Sequence, residues 1–151
     1  MRHILTTLAA ALLLTGSLLA GNSEINTAGA TGIAINGYDP VAFFTEKKPV
    51  NGDPAIKVEH AGATYLFSTE KHRDLFAKNP EKYAPQFGGY CAYGVSVNAL
   101  FPVDISTWQV RDGKLYLNLN PEILKAFNKD FEGNVAKAHT NWPKVLNASK
   151  Y

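Results

Sequence analysis

Beyond residue 32 the apolar positions follow two rhythms, a strict alternation in two short stretches and a three-to-four spacing in the segments around them. Ile56-Lys57-Val58-Glu59-His60 alternates, Ala61-Gly62 turns the chain, and Thr64-Tyr65-Leu66-Phe67 returns, which predicts a hairpin. Trp108 to Asn118 repeats that design around Asp112-Gly113, a pair whose turn twists in the sense that paired strands require. Ser68 or Thr69 is placed to cap a helix on which His72, Leu75 and Phe76 share one face, so His72 is expected to point inward. Asn79-Pro80-Glu81 reads as a cap followed by a helical turn that ends near Tyr83-Ala84-Pro85. Asn120-Pro121-Glu122 opens a further helix with Ile123, Leu124, Phe127 and Phe131 on one side, and Gly133 is expected to end or bend it. A last helix is predicted from about Asn134 to just before Pro143, with Val135, Ala138 and Trp142 inward.

The connecting segments have their own signals. Asn36-Gly37 and Asp39-Pro40 set a tight turn between Ile33-Ala34-Ile35 and Val41-Ala42-Phe43-Phe44, which predicts an opening loop packed on the core. Lys47 to Pro54 reads as loop, and Gly88, Gly89 and Gly94 mark a segment built for close approach of something to its backbone. Two hairpins with short helices around them indicate an α+β fold, with the helices lying against a small antiparallel sheet built from the hairpins.

The first 20 residues change the picture of where this fold resides. Arg2 and His3 precede an apolar run from Ile4 to Leu14, broken by Thr15-Gly16-Ser17 before Leu18-Leu19-Ala20-Gly21. A basic start, a short apolar centre and a small residue at its end make residues 1–20 a signal peptide, with cleavage expected after Ala20 and no stable membrane span afterwards. The expected location is therefore periplasmic or secreted. Residues 21–32 are small and polar and read as a flexible leader, residues 33–147 as a single domain, and residues 148–151 as a tail.

Charge and motifs narrow the chemistry. Fifteen basic residues face 13 acidic ones, and no basic run of the kind that neutralises phosphates is visible, so no nucleic acid partner is expected. Gly88-Gly89 leads into Tyr-Cys without the lysine of a nucleotide loop, Cys-x-x-Cys is absent, and no serine-nucleophile motif is present. A hydrolase or a nucleotide enzyme is disfavoured.

What stands out is Cys91, the only cysteine, within Gly88-Gly89-Tyr90-Cys91-Ala92-Tyr93-Gly94. An exported protein usually pairs its cysteines, and a solitary one cannot staple its own chain. Either Cys91 is a small buried hydrophobe, as free cysteines most often are, or backbone N–H groups around it stabilise the thiolate that attacks electrophiles and binds metals. His72 could add an imidazole to a thiolate site or could be a helix histidine bonded to backbone. Asp39 could cap its own turn, or, were that turn to fold over Cys91, serve as a carboxylate ligand or orient a histidine. His60 and His139 read as surface residues.

Tyr65-Leu66-Phe67-Ser68, the helix ending at Phe76, Asn79-Pro80-Glu81-Lys82-Tyr83 and Asp39-Pro40-Val41 together resemble the YHS domain. The longer series, from Gly37-Tyr38-Asp39-Pro40-Val41-Ala42 through Gly88-Gly89-Tyr90-Cys91-Ala92 to Asp112–Leu117 and Asn141-Trp142-Pro143, is similar to the exported branch of YHS domain-containing (seleno)proteins. The resemblance implies that metal-binding members hold metal through three cysteines, at the positions occupied here by Ala42, Ser68 and His72. Two soft ligands are thus replaced and the third has become an imidazole, which argues against a cysteine cluster. The resemblance also implies that Cys91 stands where some members carry selenocysteine.

Three functions follow as expectations. The first is a soft-metal module that binds copper, its one expected cofactor, through Cys91 with help from His72 and Asp39. The second, and the only enzymatic one, is a thiol oxidoreductase in which Cys91 is oxidised and an external thiol reductant restores it. The third is a non-catalytic interaction domain in which Cys91 is merely packed. An enzyme is the less favoured class.

Overall fold

Both hairpins form, and they form for the reasons their turns suggest. In a computed structural model that describes residues 24–148, β1 (Asp53–His60) pairs antiparallel with β2 (Ala63–Phe67), and β3 (Asp104–Arg111) pairs antiparallel with β4 (Lys114–Asn118). Ala61 and Gly62 take φ of 51° and 79°, Asp112 and Gly113 take 52° and 71°. Two consecutive left-handed residues are what a two-residue hairpin turn of matching twist demands. Residues 1–20, expected as a signal peptide, and residues 149–151 of the expected tail lie outside the described residues.

The fold class is α+β, with one difference in the sheet. The hairpins make two separate two-stranded sheets rather than a single one. The free edge of β2 is already occupied by the opening loop, since Ala34 N–H donates to Thr64 O at 2.9 Å and Thr64 N–H donates to Gly32 O at 2.9 Å. With that edge filled, the hairpins meet through side chains.

Among the described residues six α-helices surround them: α1 (Ala42–Thr45), α2 (Glu70–Lys78), α3 (Pro80–Tyr83), α4 (Ala92–Ser96), α5 (Pro121–Lys129) and α6 (Phe131–Asn147). Caps set their starts. Thr69 Oγ1 accepts from His72 N–H at 3.1 Å, Asn79 Oδ1 from Lys82 N–H at 3.3 Å and Asn120 Oδ1 from Ile123 N–H at 2.9 Å. Two helix boundaries depart from expectation. Asp130, and not Gly133, separates α5 from α6, because its carboxylate accepts Gly133 N–H at 3.1 Å and caps the second helix. Pro143 does not stop α6. Trp142 and the buried Val145 on either side of it pack on the second core cluster, a gain that offsets the roughly 3 kcal/mol cost of an internal proline.

The core has two compartments with β4 as the wall between them. Leu115 and Leu117 project into a cluster with Val41, Phe43, Tyr65 and Phe67, whereas Tyr116 projects into a cluster with Phe87, Val95, Phe127 and Phe131. Strand alternation alone makes this division, since successive side chains leave opposite faces. Thr107 secures the wall where the register shifts between Asp104 and Gln109. Its hydroxyl donates to Asn118 O at 2.7 Å and accepts from Asn118 N–H at 2.8 Å, standing in for a backbone pair.

Residues 24–32, the described part of the expected leader, contact the domain. Ile25 is buried, Asn26 N–H donates to Gly88 O at 2.8 Å, Asn26 Nδ2 donates to Gly89 O at 3.1 Å, and Thr27 bridges Ala34. One apolar residue among small polar ones has no period, so its anchoring leaves no pattern to read. This segment is what approaches the glycine loop, because a Cβ on Gly88 would collide with the Glu24 carbonyl.

Tyr65 is fully buried in the first compartment, its hydroxyl has no hydrogen-bond partner among the described residues, and burial pushes its pKa up to about 12. An acid with a raised folded pKa contributes stability that is complete below its unfolded value near 10 and is lost as pH rises toward 12. Urea denaturation between those limits is expected to show a loss of about 2–3 kcal/mol. Tyr65→Phe should be neutral or stabilising at pH 7, since an unpaired buried hydroxyl is removed, and should flatten that alkaline decline. An unchanged decline in the variant would refute the assignment.

Candidate functional site

The turn that opens the domain carries a carboxylate with no exposure to solvent, and every direction around it is filled by a donor. Asp39 is 0% exposed. Its Oδ1 accepts Val41 N–H at 2.9 Å and Ala42 N–H at 3.3 Å, which starts α1. Its Oδ2 accepts Ser68 N–H at 2.8 Å, the Ser68 hydroxyl at 2.6 Å and His72 Nδ1 at 2.7 Å. The end of β2 and the first turn of α2 are thus tied to the opening loop through one side chain. An ionised carboxylate can only accept, so the proton between Asp39 and His72 sits on Nδ1. The other ring nitrogen, Nε2, lies 3.2 Å from Thr45 Oγ1 at the end of α1.

Cys91 lies elsewhere, at the start of α4. It is 1% exposed. Its Sγ accepts Gly94 N–H at 3.3 Å and Leu119 N–H at 3.3 Å, and faces Asn118 Oδ1 at 3.7 Å, the same oxygen that accepts Tyr93 N–H at 3.1 Å. Backbone N–H groups do surround the sulfur, and they are supplied by Gly94 and Leu119 rather than by Gly88 or Gly89. Burial nevertheless prevails and pushes the thiol pKa up, while the N–H groups of Gly94, Leu119 and Tyr93 pull it part of the way back. The sulfur caps a short helix and ties it to the end of β4.

Of the three residues expected to form a site, the structure brings Asp39 and His72 into direct contact and gives Cys91 a different set of partners. Asp39 both caps its turn and orients a histidine, with Cys91 taking no part. His60 is half-buried against Phe76 at 5.7 Å between ring centroids, and the exposed His139 makes an edge contact with Phe87 at 5.0 Å. Residue-by-residue reading missed Ser68 and Thr45 as partners of the Asp39–His72 pair, and Asn118 as the partner of Cys91. Ser68 had a signal, since it follows a buried strand directly. Asn118 had none, because its role depends on a contact 27 positions away.

A buried carboxylate stripped of its partner side chain leaves donors stranded, so Asp39→Ala should orphan Ser68 N–H, Val41 N–H and His72 together. Urea titration at neutral pH is expected to show a loss of about 3–5 kcal/mol. A loss under about 1 kcal/mol, the scale of an exposed ion pair, would show that the cluster does not hold these elements together.

Residues 41–87 match the family model described as the YHS domain, and no curated protein and no solved structure matches the chain. The matched segment runs through the positions at which the resemblance places metal-binding cysteines, and Asp39 draws those positions into one place. Ala42 has no side-chain donor, the Ser68 hydroxyl and His72 Nδ1 are both directed at Asp39, and Nε2 faces Thr45. Among the described residues no three His, Cys, Asp or Glu groups are arranged to hold a metal ion. The side chains here do not fit the soft-metal set of the metal-binding members. α1, the first hairpin and the helices that follow it make up the segment from Val41 to Phe87 that is similar to the YHS domain, and that segment sits within a longer fold.

Proposed function

We propose that the protein is an exported, non-catalytic binding domain in which the YHS frame serves as a scaffold. The observation that carries this reading is the saturation of its reactive groups. Asp39 and His72 satisfy each other and their neighbours, while Cys91 is sealed at a helix start with its thiol favoured over the thiolate. A group whose donors and lone pairs are already engaged inside the fold would have to break those bonds to take a ligand, at roughly 1–3 kcal/mol for each one left unmade.

YHS domains are generally associated with metal binding, copper included, and that association comes with the segment 41–87. Copper held by Cys91 with His72 and Asp39 has less support here, because a shared site needs ligands within coordination distance of one ion and the partners of Cys91 are separate from the Asp39–His72 pair. The redox reading needs a low-pKa, accessible thiolate, and burial works in the opposite direction. Export rests on residues 1–20. No helix among the described residues is long and apolar enough to cross a membrane.

Metal analysis after anaerobic purification is expected to give substoichiometric copper and zinc in wild type and Cys91→Ser alike. One equivalent of either metal, lost in the variant, would overturn the reading. Iodoacetamide should label Cys91 slowly in the native protein at neutral pH and rapidly after unfolding, and Cys91→Ala should cost on the order of 1–3 kcal/mol. Fast native labelling would restore the redox reading. For export, amino-terminal sequencing of protein recovered outside the cytosol is expected to begin at Gly21, and recovery of an intact Met1 only from the cytosol would refute it.

A further inference from the structure

We propose that a cavity between α1 and β3 binds a small aromatic carboxylate. The inference rests on the non-catalytic reading above and supplies its ligand class. The cavity has a volume of about 290 Å³ and is lined by Phe43, Phe44, Lys47, Trp108 and Val110. An apolar cavity of about 150 Å³ accepts a benzene ring, so this one has room for a ring and a short chain.

Strand alternation places Trp108 and Val110 on one face of β3, and α1 lays Phe43 against that face with 5.4 Å between the Phe43 and Trp108 rings. Phe44 is held from behind by an edge contact with Tyr83 at 5.4 Å. The aromatic walls are therefore fixed before any ligand arrives, which reduces the ordering cost of binding.

The polar groups of the lining are donors. Lys47 stands just past α1 with a left-handed φ of 53°, which sets the direction of its side chain from the helix end. Its neighbour Glu46 pairs with Lys48 at 3.8 Å, and no carboxylate among the described residues pairs with Lys47. The Trp108 indole N–H likewise meets no acceptor among the described residues. Three aromatic rings, an ammonium and an indole N–H without acceptors among the described residues, and no lining carboxylate, complement a ligand with an apolar ring and an anionic end. A few placed polar groups in an otherwise apolar pocket is the usual make-up of a small-molecule site.

The test uses the mature protein, with its metal content measured first, and 3-phenylpropionate and 3-phenylpropan-1-ol as probes. Only two tryptophans are present, so the indole N–H resonance of Trp108 reports the cavity and that of Trp142 serves as the internal control. Titration with the carboxylate is expected to shift the Trp108 signal saturably and leave Trp142 unmoved. Lys47→Gln, an exposed change that leaves the core intact, should weaken the carboxylate by about threefold to fivefold at low salt without affecting the alcohol. Val110→Phe should block both probes. Equal affinity for the two probes in wild type would overturn the anionic assignment, and the absence of any saturable Trp108 shift would overturn the site. Stoichiometric metal together with Lys47-dependent binding would sink the scaffold reading while leaving the cavity assignment standing.

Discussion

One ionised carboxylate without solvent organises the first half of this molecule. A charge cannot be buried alone, so wherever Asp39 sits the chain must bring donors to it, and they come from the start of α1 beside it and, about 30 positions on, from the end of β2 and the inward face of α2. The position of α1 follows from this, since the N–H groups of its cap residue Val41 and its first residue Ala42 belong to Asp39. The placement of Phe43 against Trp108, and with it the meeting of the YHS segment and the second hairpin, depends on the same anchor.

The two candidate reactive groups illustrate how context decides chemistry. Cys91 has the surrounding N–H groups that elsewhere activate a thiol, yet removal from water outweighs them. His72 has an imidazole at a position where the resemblance places a metal-binding cysteine, yet its Nδ1 is directed at the carboxylate beside it. In both cases the residue type suggested reactivity and the surroundings turned it toward holding the fold together. The absence of soft ligands at positions 42 and 68 accords with that outcome, because the Ser68 hydroxyl serves the Asp39 carboxylate directly.

What could be read in the sequence was local. The Asp112-Gly113 turn, the caps at Thr69, Asn79 and Asn120, and the inward face of His72 each follow from residues within a few positions of one another. What could not be read required partners far apart. No local pattern states that residues 32–34 would occupy the edge of β2 and split the expected sheet in two, or that Ile25 would find a buried place beside the glycine loop. Pro143 misled because its local penalty is known while the packing of Trp142 and Val145 that outweighs it is not visible along the chain. Phe43 and Trp108 were legible as core residues, but their second role as cavity walls depends on the gap left beside them.

The alternation along β4 has a consequence for what counts as the heritable unit. Leu115 and Leu117 complete the interior that the YHS segment begins, whereas Tyr116 belongs to the helices beyond it. A boundary drawn at residue 87 therefore passes through a shared interior. Evolution cannot transplant the shorter piece unaltered: any chain that borrows it must also provide a substitute for those two leucines, or replace the surface they would leave bare.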